Sequence, residues 1–455
     1  MPYPKSAIVI GGSISGLLQG LQLKRNGTTV TLLEQDPINH RPSHDSGVQI
    51  GPSVVRLLEK YDATGRPAAV PARFLSVAWR REKLRVLDVV APRQMSNWAT
   101  LYLILRANFD GLVSEMVPRA PEGRKGDGRV VYRAGKRVTG LSYEGGGGGE
   151  DSEGDEEKAG GMMYVDFEDV TTGEKERIGA EVVIAADGVH STVRKIMGAG
   201  QEKKYSGYIG WRGVVPEHMV SAETVEYFSN RLNFSLMKGT YAITYVIPTE
   251  TGHVTPGNRL INWVWYFRVP ENSPAMDAIF TDIHGKPHAH TVSQGLINPE
   301  LWADQKARFL PLMNRHLAEI ITKTARPFVS KVVDRDCTGA VRNSTAAGNG
   351  KDTDNDTRGS FFNGHLILVG DAYTAFRPHM GMASEQAGRH CWQMDAVWRG
   401  EMTLAQRDRE AARYARRFVL LNRIIGLLGM GSWGELVVTV VVFGGFLGGC
   451  ALGVC

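Results

Sequence analysis

The sequence predicts an α/β fold with α+β elements, in which a Rossmann-like domain is interleaved with a mixed-sheet domain and followed by a helical C-terminus. Three observations support this prediction. The chain opens with a strand, a glycine-rich turn, a helix and a second strand, which together form a βαβ unit. Two later apolar strands, at 181–187 and 365–371, end beside a glycine and an aspartate. Between them, residues 258–269 carry the β-branched and aromatic side chains typical of sheets.

The N-terminal βαβ unit is the first element. Ala7–Ile10 is a short apolar run suited to a buried parallel strand, and Thr29–Leu33 is β-branched and forms the second strand. The helix between them ends at Asn26 and Gly27, which are typical helix terminators. Its apolar positions are Leu17, Leu21 and Leu23.

The turn between strand and helix, GGSISG, predicts a dinucleotide site. Free amides and the positive dipole end at the start of the helix favour a pyrophosphate. Ser13 stands where the GxGxxG pattern has its second glycine, but serine is small enough for a phosphate to approach. Glu34, at the end of the second strand, is placed to bind a ribose. The predicted binding residues are Gly11, Gly12, Ser13, Gly16 and Glu34. The alternative is an ordinary tight turn with a solvated Glu34, and the motif does not say which dinucleotide binds.

Two further segments and one arginine resemble the FAD-dependent aromatic hydroxylases. The segments are EVVIAADGVHSTVRK, with Asp187, and HLILVGDAYTAFRPHMGMASEQAG, with Asp371; the arginine is Arg106 in LYLILRANFDGLV. In that family the first motif lies between the flavin and nicotinamide regions, the second supplies an aspartate to the FAD ribityl chain, and the arginine lies near the pyrophosphate. The resemblance therefore implies FAD as the cofactor and NADH or NADPH as the co-substrate.

Within this family, the sequence resembles the branch that includes 2,6-dihydroxypyridine 3-monooxygenase. The phrases that carry this resemblance are YSGYIGWRGVVPE (205–217), INWVWY (261–266) and RPHMGM (377–382). Two residues depart from the pattern, since Tyr373 stands where many relatives have histidine and Ala383 replaces a glycine. These departures bear on substrate identity more than on flavin binding.

Residues around Pro378 are candidates for the flavin ring and the substrate pocket. Gly381 and Met382 open a predicted helix, whose amides would stabilise negative charge on a reduced flavin. His379 lies in a turn, where exposure is ordinary, and beside a flavin it would hydrogen-bond a substrate phenol or carboxylate. Trp211 and Trp265 belong either to the sheet core or to an aromatic pocket. No catalytic side chain is predicted from the sequence.

The resemblance implies a hydroxylation in which NAD(P)H reduces FAD, O2 forms a C4a-hydroperoxyflavin, and one oxygen passes to a small aromatic or heteroaromatic substrate. A flavin epoxidase or ring-modifying oxygenase is an alternative within enzymes. A halogenase is disfavoured, because WVWYF at 263–267 lacks the WxWxIP pattern of that class. A flavin-binding accessory protein without oxygenase activity is the alternative from another class.

The predicted organisation has five parts. Residues 1–200 and 341–400 form the FAD-binding domain, with polar insertions at 144–161 and 343–360, and 201–340 form the substrate-binding sheet. A helix at 401–435 precedes an uncharged tail at 436–455, which is just long enough to span a bilayer. Glycines in the tail weaken a helix, so the alternative is that it folds back onto the enzyme.

Composition narrows the function further. The net charge of +5 comes from scattered lysines and arginines, which does not indicate nucleic-acid binding. The cysteines form no CxxC pair, so neither a disulfide framework nor a metal site is predicted. A secretory signal is not recognisable at the N-terminus, so we expect a cytoplasmic enzyme. Arg413, Arg416, Arg417 and Arg423 would keep the catalytic part in the cytoplasm if the tail inserts into a membrane. The oligomeric state is not predicted.

Overall fold

The structure is a computed structural model, and it describes residues 2–38, 46–79, 81, 83–145, 161–199, 204–335 and 359–451. Both predicted polar insertions fall largely outside these residues. The strands are β1 (Ser6–Ile10), β2 (Thr29–Leu33), β3 (Gly47–Ile50), β4 (Val70–Trp79), β5 (Lys83–Asn97), β6 (Val130–Arg133), β7 (Lys136–Glu144), β8 (Met162–Asp169), β9 (Lys175–Ala180), β10 (Val182–Ala185), β11 (Lys204–Pro216), β12 (Arg231–Met237), β13 (Thr240–Ile247), β14 (Leu260–Arg268), β15 (Thr291–Val292), β16 (Phe328–Asp334), β17 (Ser360–Phe361) and β18 (Leu366–Leu368).

The described strands form three sheets, the smallest in the order β7-β8-β9, and helices form the C-terminal part of the described chain. They are α1 (Ile14–Arg25), α2 (Pro52–Tyr61), α3 (Trp98–Asp110), α4 (Thr192–Ile196), α5 (Ala222–Phe228), α6 (Pro274–Ile279), α7 (Pro299–Phe309), α8 (Arg315–Lys323), α9 (Ala383–Trp398), α10 (Leu404–Gly429) and α11 (Trp433–Ala451). The predicted α/β fold with a helical C-terminus is confirmed.

The first sheet positions the predicted cofactor motifs. Its strand order is β17-β18-β10-β1-β2-β6, and the neighbouring pairs from β18 to β6 are all parallel. The predicted βαβ unit is confirmed, with the second strand at Thr29–Leu33 and Asn26 capping the helix. Parallel strands present their carboxyl ends at one edge of a sheet, so the ends of β1, β10 and β18 meet there.

The second sheet has nine strands among the described residues, in the order β15-β16-β11-β14-β13-β12-β4-β5-β3. It is mixed, because β12 pairs with β4 in parallel while β11, β13 and β14 pair antiparallel. Three of its strands, β3 to β5, come from residues 47–97, which the sequence-based division placed with the first part of the FAD-binding domain. The pairing of β12 with β4 joins segments about 160 residues apart, which local sequence patterns do not encode.

The two faces of this sheet carry different side chains. Side chains alternate along a strand, so every second residue of β11, β13 and β14 points the same way. One face packs Trp211, Trp263 and Trp265 into a core with Trp302 and Phe309. The opposite face carries Tyr208, Tyr241 and Tyr266, which pack with Met430 at the end of α10.

The C-terminal helices form a hairpin. Gly431, with φ +67°, lies in the turn, and the guanidinium of Arg416 lies 5.8 Å from the centre of the Phe446 ring. Helix α11 is long and apolar enough to cross a membrane, and 6% of its apolar window is buried. Its outward side exposes Trp433, Val437, Val438 and Val441 by 63–68%.

Candidate active site

Three glycine- and aspartate-bearing strand ends touch one another at the edge of the first sheet. A Cβ added to Gly11, which has φ +102°, would lie 2.4 Å from the carbonyl oxygen of Ala186 at the end of β10. A Cβ added to Gly370, beyond β18, would lie 2.5 Å from the Ser15 hydroxyl in the first turn of α1. The predicted motifs at Gly11–Gly16, Asp187 and Asp371 are therefore brought together.

The N-terminus of α1 is open to an anion. Ser13 is the N-cap residue, but its side chain makes no capping hydrogen bond and instead accepts one from the Trp98 indole at 3.2 Å. The first amides of a helix lack partners within the helix, so they are available to a phosphate. A Cβ on Gly16 would lie 1.9 Å from the carbonyl oxygen of Gly11, so only glycine permits this tight entry. The buried Ser15 hydroxyl has no partner among the described residues.

Glu34 and Arg106 lie on either side of this turn. Glu34 is buried, and its carboxylate accepts hydrogen bonds from the amides of Gly12 at 2.7 Å and Asp36 at 2.9 Å. Arg106 on α3 is also buried and forms an ion pair with Asp110 at 2.8 Å. Its guanidinium stacks 3.5 Å from the centre of the Tyr132 ring, whose hydroxyl would meet a Cβ on Gly12. The Tyr132 side chain therefore lies between Arg106 and the turn.

Asp187 has a structural task in addition to its position beside Gly11. Its Oδ2 accepts hydrogen bonds from the amides of Thr192 at 2.7 Å and Val193 at 3.1 Å, which are at the start of α4. Its Oδ1 is buried without a partner in the described part of the chain. Burial raises the pKa of this carboxyl group, and the hydrogen bonds oppose that shift.

A cavity of about 280 Å³ lies between Asp371, the strand β3 and the tyrosine-bearing face of the second sheet. Asp371 lies at one end, and burial raises its pKa to about 6. Gly381 and Met382 also line the cavity and lie immediately before α9, whose N-cap Met382 has no side-chain capping bond. The amides at the start of α9 are thus aimed at the same space as Asp371.

His379 lines this cavity, but its place differs from the exposed turn that is ordinary for such a residue. It is 2% exposed, and both ring nitrogens are bonded to tyrosines: Nε2 to the Tyr208 hydroxyl at 2.6 Å and Nδ1 to the Tyr241 hydroxyl at 2.5 Å. Burial lowers its pKa well below the usual value, so the ring is neutral. Because both nitrogens are occupied, His379 offers a substrate its ring edge and not a free donor or acceptor.

Arg377 determines which groups donate and which accept in the hydrogen bonds around His379. Arg377 Nη1 donates to the Tyr208 hydroxyl oxygen at 3.2 Å, so the Tyr208 proton is free to point at Nε2. The proton of a neutral ring then lies on Nδ1, which donates to Tyr241. Arg377 is held in turn by Asp334 at 2.8 Å, and Asp334 also binds Arg423 of α10.

Trp211 and Trp265 lie on the other face of the second sheet. The Trp211 ring packs 4.9 Å from Trp302 of α7, and the Trp265 ring packs 4.8 Å from Phe309. Both side chains are fully buried, and neither residue lines the cavity. Both residues therefore belong to the sheet core, which was one of the two positions that the sequence allowed, the other being an aromatic pocket.

Sequence reasoning missed several polar residues that line the cavity. Those from the second sheet are Arg212, Tyr245 and Asn262, on β11, β13 and β14. A signal was present, since alternate positions of these strands are polar or tyrosine in otherwise apolar runs. Recognising it required knowing that the three strands are neighbours.

Comparisons with known proteins agree with this geometry. A family model described as "FAD binding domain-like" matches residues 205–334. The chain is 26% identical over 390 residues to a 2,6-dihydroxypyridine 3-monooxygenase of Paenarthrobacter nicotinovorans, covering 85% of this chain and 81% of that protein. It is also 26% identical over 218 residues to a 6-hydroxynicotinate 3-monooxygenase of Pseudomonas fluorescens, covering 47% and 48% of the two chains.

Solved structures share the fold. The 2,6-dihydroxypyridine-3-hydroxylase of Arthrobacter nicotinovorans superimposes with a TM-score of 0.69 at 24% identity, covering 94% of this chain and 92% of the other. HpxO of Klebsiella pneumoniae, solved with FAD and uric acid, superimposes with a TM-score of 0.63 at 17% identity, covering 100% and 97%.

Proposed function

We propose that this chain is an FAD-dependent aromatic hydroxylase and that its cavity is the place where a small, electron-rich heteroaromatic ring is hydroxylated. It is an FAD-dependent monooxygenase that uses NADH or NADPH. The observation that carries the proposal is the meeting of the Gly11, Asp187 and Asp371 strand ends beside a cavity lined by tyrosines.

The residues at the sheet edge fit FAD, and we assign them roles on that basis. The open N-terminus of α1, with Gly11, Gly12, Ser13 and Gly16, would hold the pyrophosphate, since any larger side chain at these glycines collides with its neighbours. Glu34 would bind the adenosine ribose, and Arg106 would lie near the pyrophosphate once released from part of its pairing with Asp110. Asp187 would keep α4 in place beside them.

The ribityl chain and the ring system would extend from there into the cavity. Asp371 would accept hydrogen bonds from ribityl hydroxyls, which would take the place of the water lost around its partly buried carboxylate. The amides before α9, at Gly381 and Met382, would stabilise negative charge on the ring. The bound cofactor, when reduced, activates O2 for transfer of one oxygen atom to carbon.

The chain's own task is to hold the substrate against the ring and to exclude water. The tyrosine-bearing face of the second sheet provides a wall with Tyr245 and Tyr266, and hydrogen bonds to Tyr208 and Tyr241 behind it fix the cavity-lining His379. The backbone of β3 covers the opposite side, where Gly47 packs against Tyr245. A dry, preorganised cavity protects a reactive oxygen species from water.

The substrate class is proposed from the relatives. The cavity of about 280 Å³ would have to hold part of the flavin as well, so the space left beside the ring favours a small substrate. The relatives named above act on 2,6-dihydroxypyridine and 6-hydroxynicotinate, and both molecules are hydroxylated nitrogen heteroaromatics. We propose the same class for this chain.

The test of the function is substrate-stimulated oxidation of NAD(P)H by the purified protein, with mass spectrometry of the product. We expect a yellow protein, faster NAD(P)H oxidation with hydroxypyridines, and a product heavier by one oxygen atom. Asp371→Ala should lose flavin and turnover, whereas Asp304→Asn, an exposed aspartate on α7, should retain both. A folded, colourless wild-type protein would refute the proposal.

We also propose that α11 attaches the enzyme to a membrane. Its support is the exposed apolar surface around Val437, Val438 and Val441 and the length of the helix. Deletion of residues 436–455 should move the protein from the membrane fraction to the soluble fraction without loss of flavin. If the full-length protein and the deletion variant are found in the same fraction, the proposed membrane attachment is rejected.

A further inference from the structure

One cationic side chain in the cavity has no partner in the described part of the chain. Arg212 of β11 is half-buried and lines the cavity, its Nε is buried, and neither an ion pair nor a hydrogen bond joins its side chain to another described residue. A buried N–H donor without a partner is unfavourable, and charged groups that are partly withdrawn from water are normally paired. A group from outside the chain would therefore satisfy this charge.

Two tyrosine hydroxyls lie within the electrostatic range of Arg212. Burial raises the pKa of Tyr245 to about 12 and raises that of Tyr266 further, while the charge of Arg212 opposes the shift in both. The Tyr266 side chain is completely buried, and its hydroxyl has no hydrogen-bond partner among the described residues. Two unpartnered donors and a neighbouring phenol thus share one part of the cavity.

The strand register explains this grouping. On β11, Gly210 lies opposite Tyr266 and Arg212 lies opposite Val264 of β14. Val264 in turn lies opposite Ile243 of β13, two residues before Tyr245, so these side chains share one face of the sheet. A Cβ on Gly210 would lie 3.2 Å from the Tyr266 ring, so this glycine leaves the tyrosine room beside the arginine.

One carboxylate and two guanidinium groups line the cavity. Asp371 is the only acidic residue among the described residues that line it, and it is assigned above to the flavin. Arg377 is paired with Asp334 at 2.8 Å, whereas Arg212 has no ion pair within the described part of the chain. Arg212 is therefore the charged group left for a substrate.

We propose that Arg212, Tyr245 and Tyr266 form an anion subsite that binds a negatively charged oxygen carried by the substrate ring. This inference rests on the proposed function, because it assumes that the ring to be hydroxylated occupies the cavity. The oxygen is either a deprotonated ring hydroxyl or a ring carboxylate. The arginine and the two phenol hydroxyls offer several hydrogen-bond donors and carry no negative charge. Such a site favours an anionic oxygen over the oxygen of a neutral ether.

The test uses the flavin-bound enzyme without NAD(P)H and follows the flavin absorbance during titration. The probes are 2,6-dihydroxypyridine, benzoate and the neutral 2,6-dimethoxypyridine. Arg212→Met removes the charge at similar volume, Arg212→Lys restores it, and Arg268→Met is the control at an exposed position of β14. A charged hydrogen bond corresponds to roughly a 10- to 100-fold change in Kd.

The expected result is that Arg212→Met binds at least one of the charged probes roughly 10-fold or more weakly, leaves binding of 2,6-dimethoxypyridine unchanged, and is partly rescued by lysine. Loss with 2,6-dihydroxypyridine alone identifies a ring oxyanion, and loss with benzoate identifies a carboxylate. Equal binding of every probe by wild type and Arg212→Met overturns the subsite, and so does a wild type that binds neither charged probe.

A separate readout distinguishes this failure from failure of the proposed function. Thermal unfolding of wild type and Arg212→Met with each probe does not require the flavin. If the folded wild type takes up no FAD, and a charged probe stabilises the wild type but not Arg212→Met, the subsite is supported and the oxygenase is refuted. A yellow, NAD(P)H-oxidising protein whose Arg212→Met variant is stabilised equally supports the oxygenase and refutes the subsite.

Discussion

Asp371 shows how a single half-buried side chain connects cofactor binding with stability. It lies beyond the carboxyl end of β18, and its pKa of about 6 reflects the loss of water around its charged form. Bound ribityl hydroxyls would replace that water. Without them, the charged carboxylate destabilises the folded protein.

This gives a prediction for the flavin-free protein. The folded state holds the Asp371 proton to about pH 6, whereas the unfolded chain releases it near the ordinary value of 3.8. The stabilising proton is therefore fully present below pH 3.8 and is lost as the pH rises to about 6. Asp371→Asn should raise the free energy of unfolding at pH 7 by roughly 2 kcal/mol, allowing for partial solvation by the cavity, and have a smaller effect at pH 5.

Urea unfolding of both flavin-free proteins at pH 5 and pH 7 measures this difference. Asp304→Asn, on the exposed side of α7, is the matched control and should change neither value. A variant that is less stable than wild type at pH 7 would show that the Asp371 carboxylate has a stabilising partner in the flavin-free protein.

At the residue scale, positions that depend on the local backbone were easier to predict from the sequence than the surroundings of individual side chains. Gly11, Glu34 and Asp371 were recognisable because each follows directly from a strand, a turn and a helix start in the local sequence. The buried surroundings of His379 and the cavity position of Arg212 were not, because both depend on distant segments. Tyr208 and Tyr241, which hold His379, precede it by 171 and 138 residues.

At the scale of elements, the end of α10 supports the tyrosine-bearing face of the cavity. Gly426 and Gly429 are one turn apart on this helix, and both lie against the site. A Cβ on Gly426 would lie 2.6 Å from the Tyr208 hydroxyl, and one on Gly429 would lie 2.3 Å from the Tyr241 ring. The helix can pack closely behind the hydrogen-bonded tyrosines only because these positions lack side chains.

We predict that Gly429→Ala destabilises the protein although alanine is the better helix former. The added methyl group would force apart α10 and Tyr241, and overpacking of this kind costs roughly 1–3 kcal/mol. Gly444→Ala on α11 meets nothing within 4 Å and should be neutral or slightly stabilising. Thermal unfolding of both variants checks the pair, and equal effects would mean that α10 does not press on Tyr241.

The elements themselves were predicted unevenly. The strand Thr29–Leu33 was predicted at its observed bounds, and the helix after Pro378 begins at Ala383, next to the predicted Gly381 and Met382. Both have strong local signals in turn residues and periodicity. The assignment of β3 to β5 to the second sheet had no such signal, since those strands join it through pairing with β12, far along the chain.

At the scale of the whole molecule, two sheets divide the work. The parallel sheet gathers three strand ends where a dinucleotide fits, and the mixed sheet provides the wall that faces the substrate. The chain passes between them more than once, so neither sheet is built from one continuous segment. Composition and motif order predicted the two parts, but only the topology shows that their meeting point encloses a cavity.

In this protein, one FAD should extend from the turn at Gly11 past Asp371 into the cavity. An experimental structure of the purified yellow protein would show whether it does. We predict electron density for the pyrophosphate at the N-terminus of α1 and for the isoalloxazine ring between Asp371 and His379. Density for the ring elsewhere, with this cavity filled by solvent alone, would contradict the account.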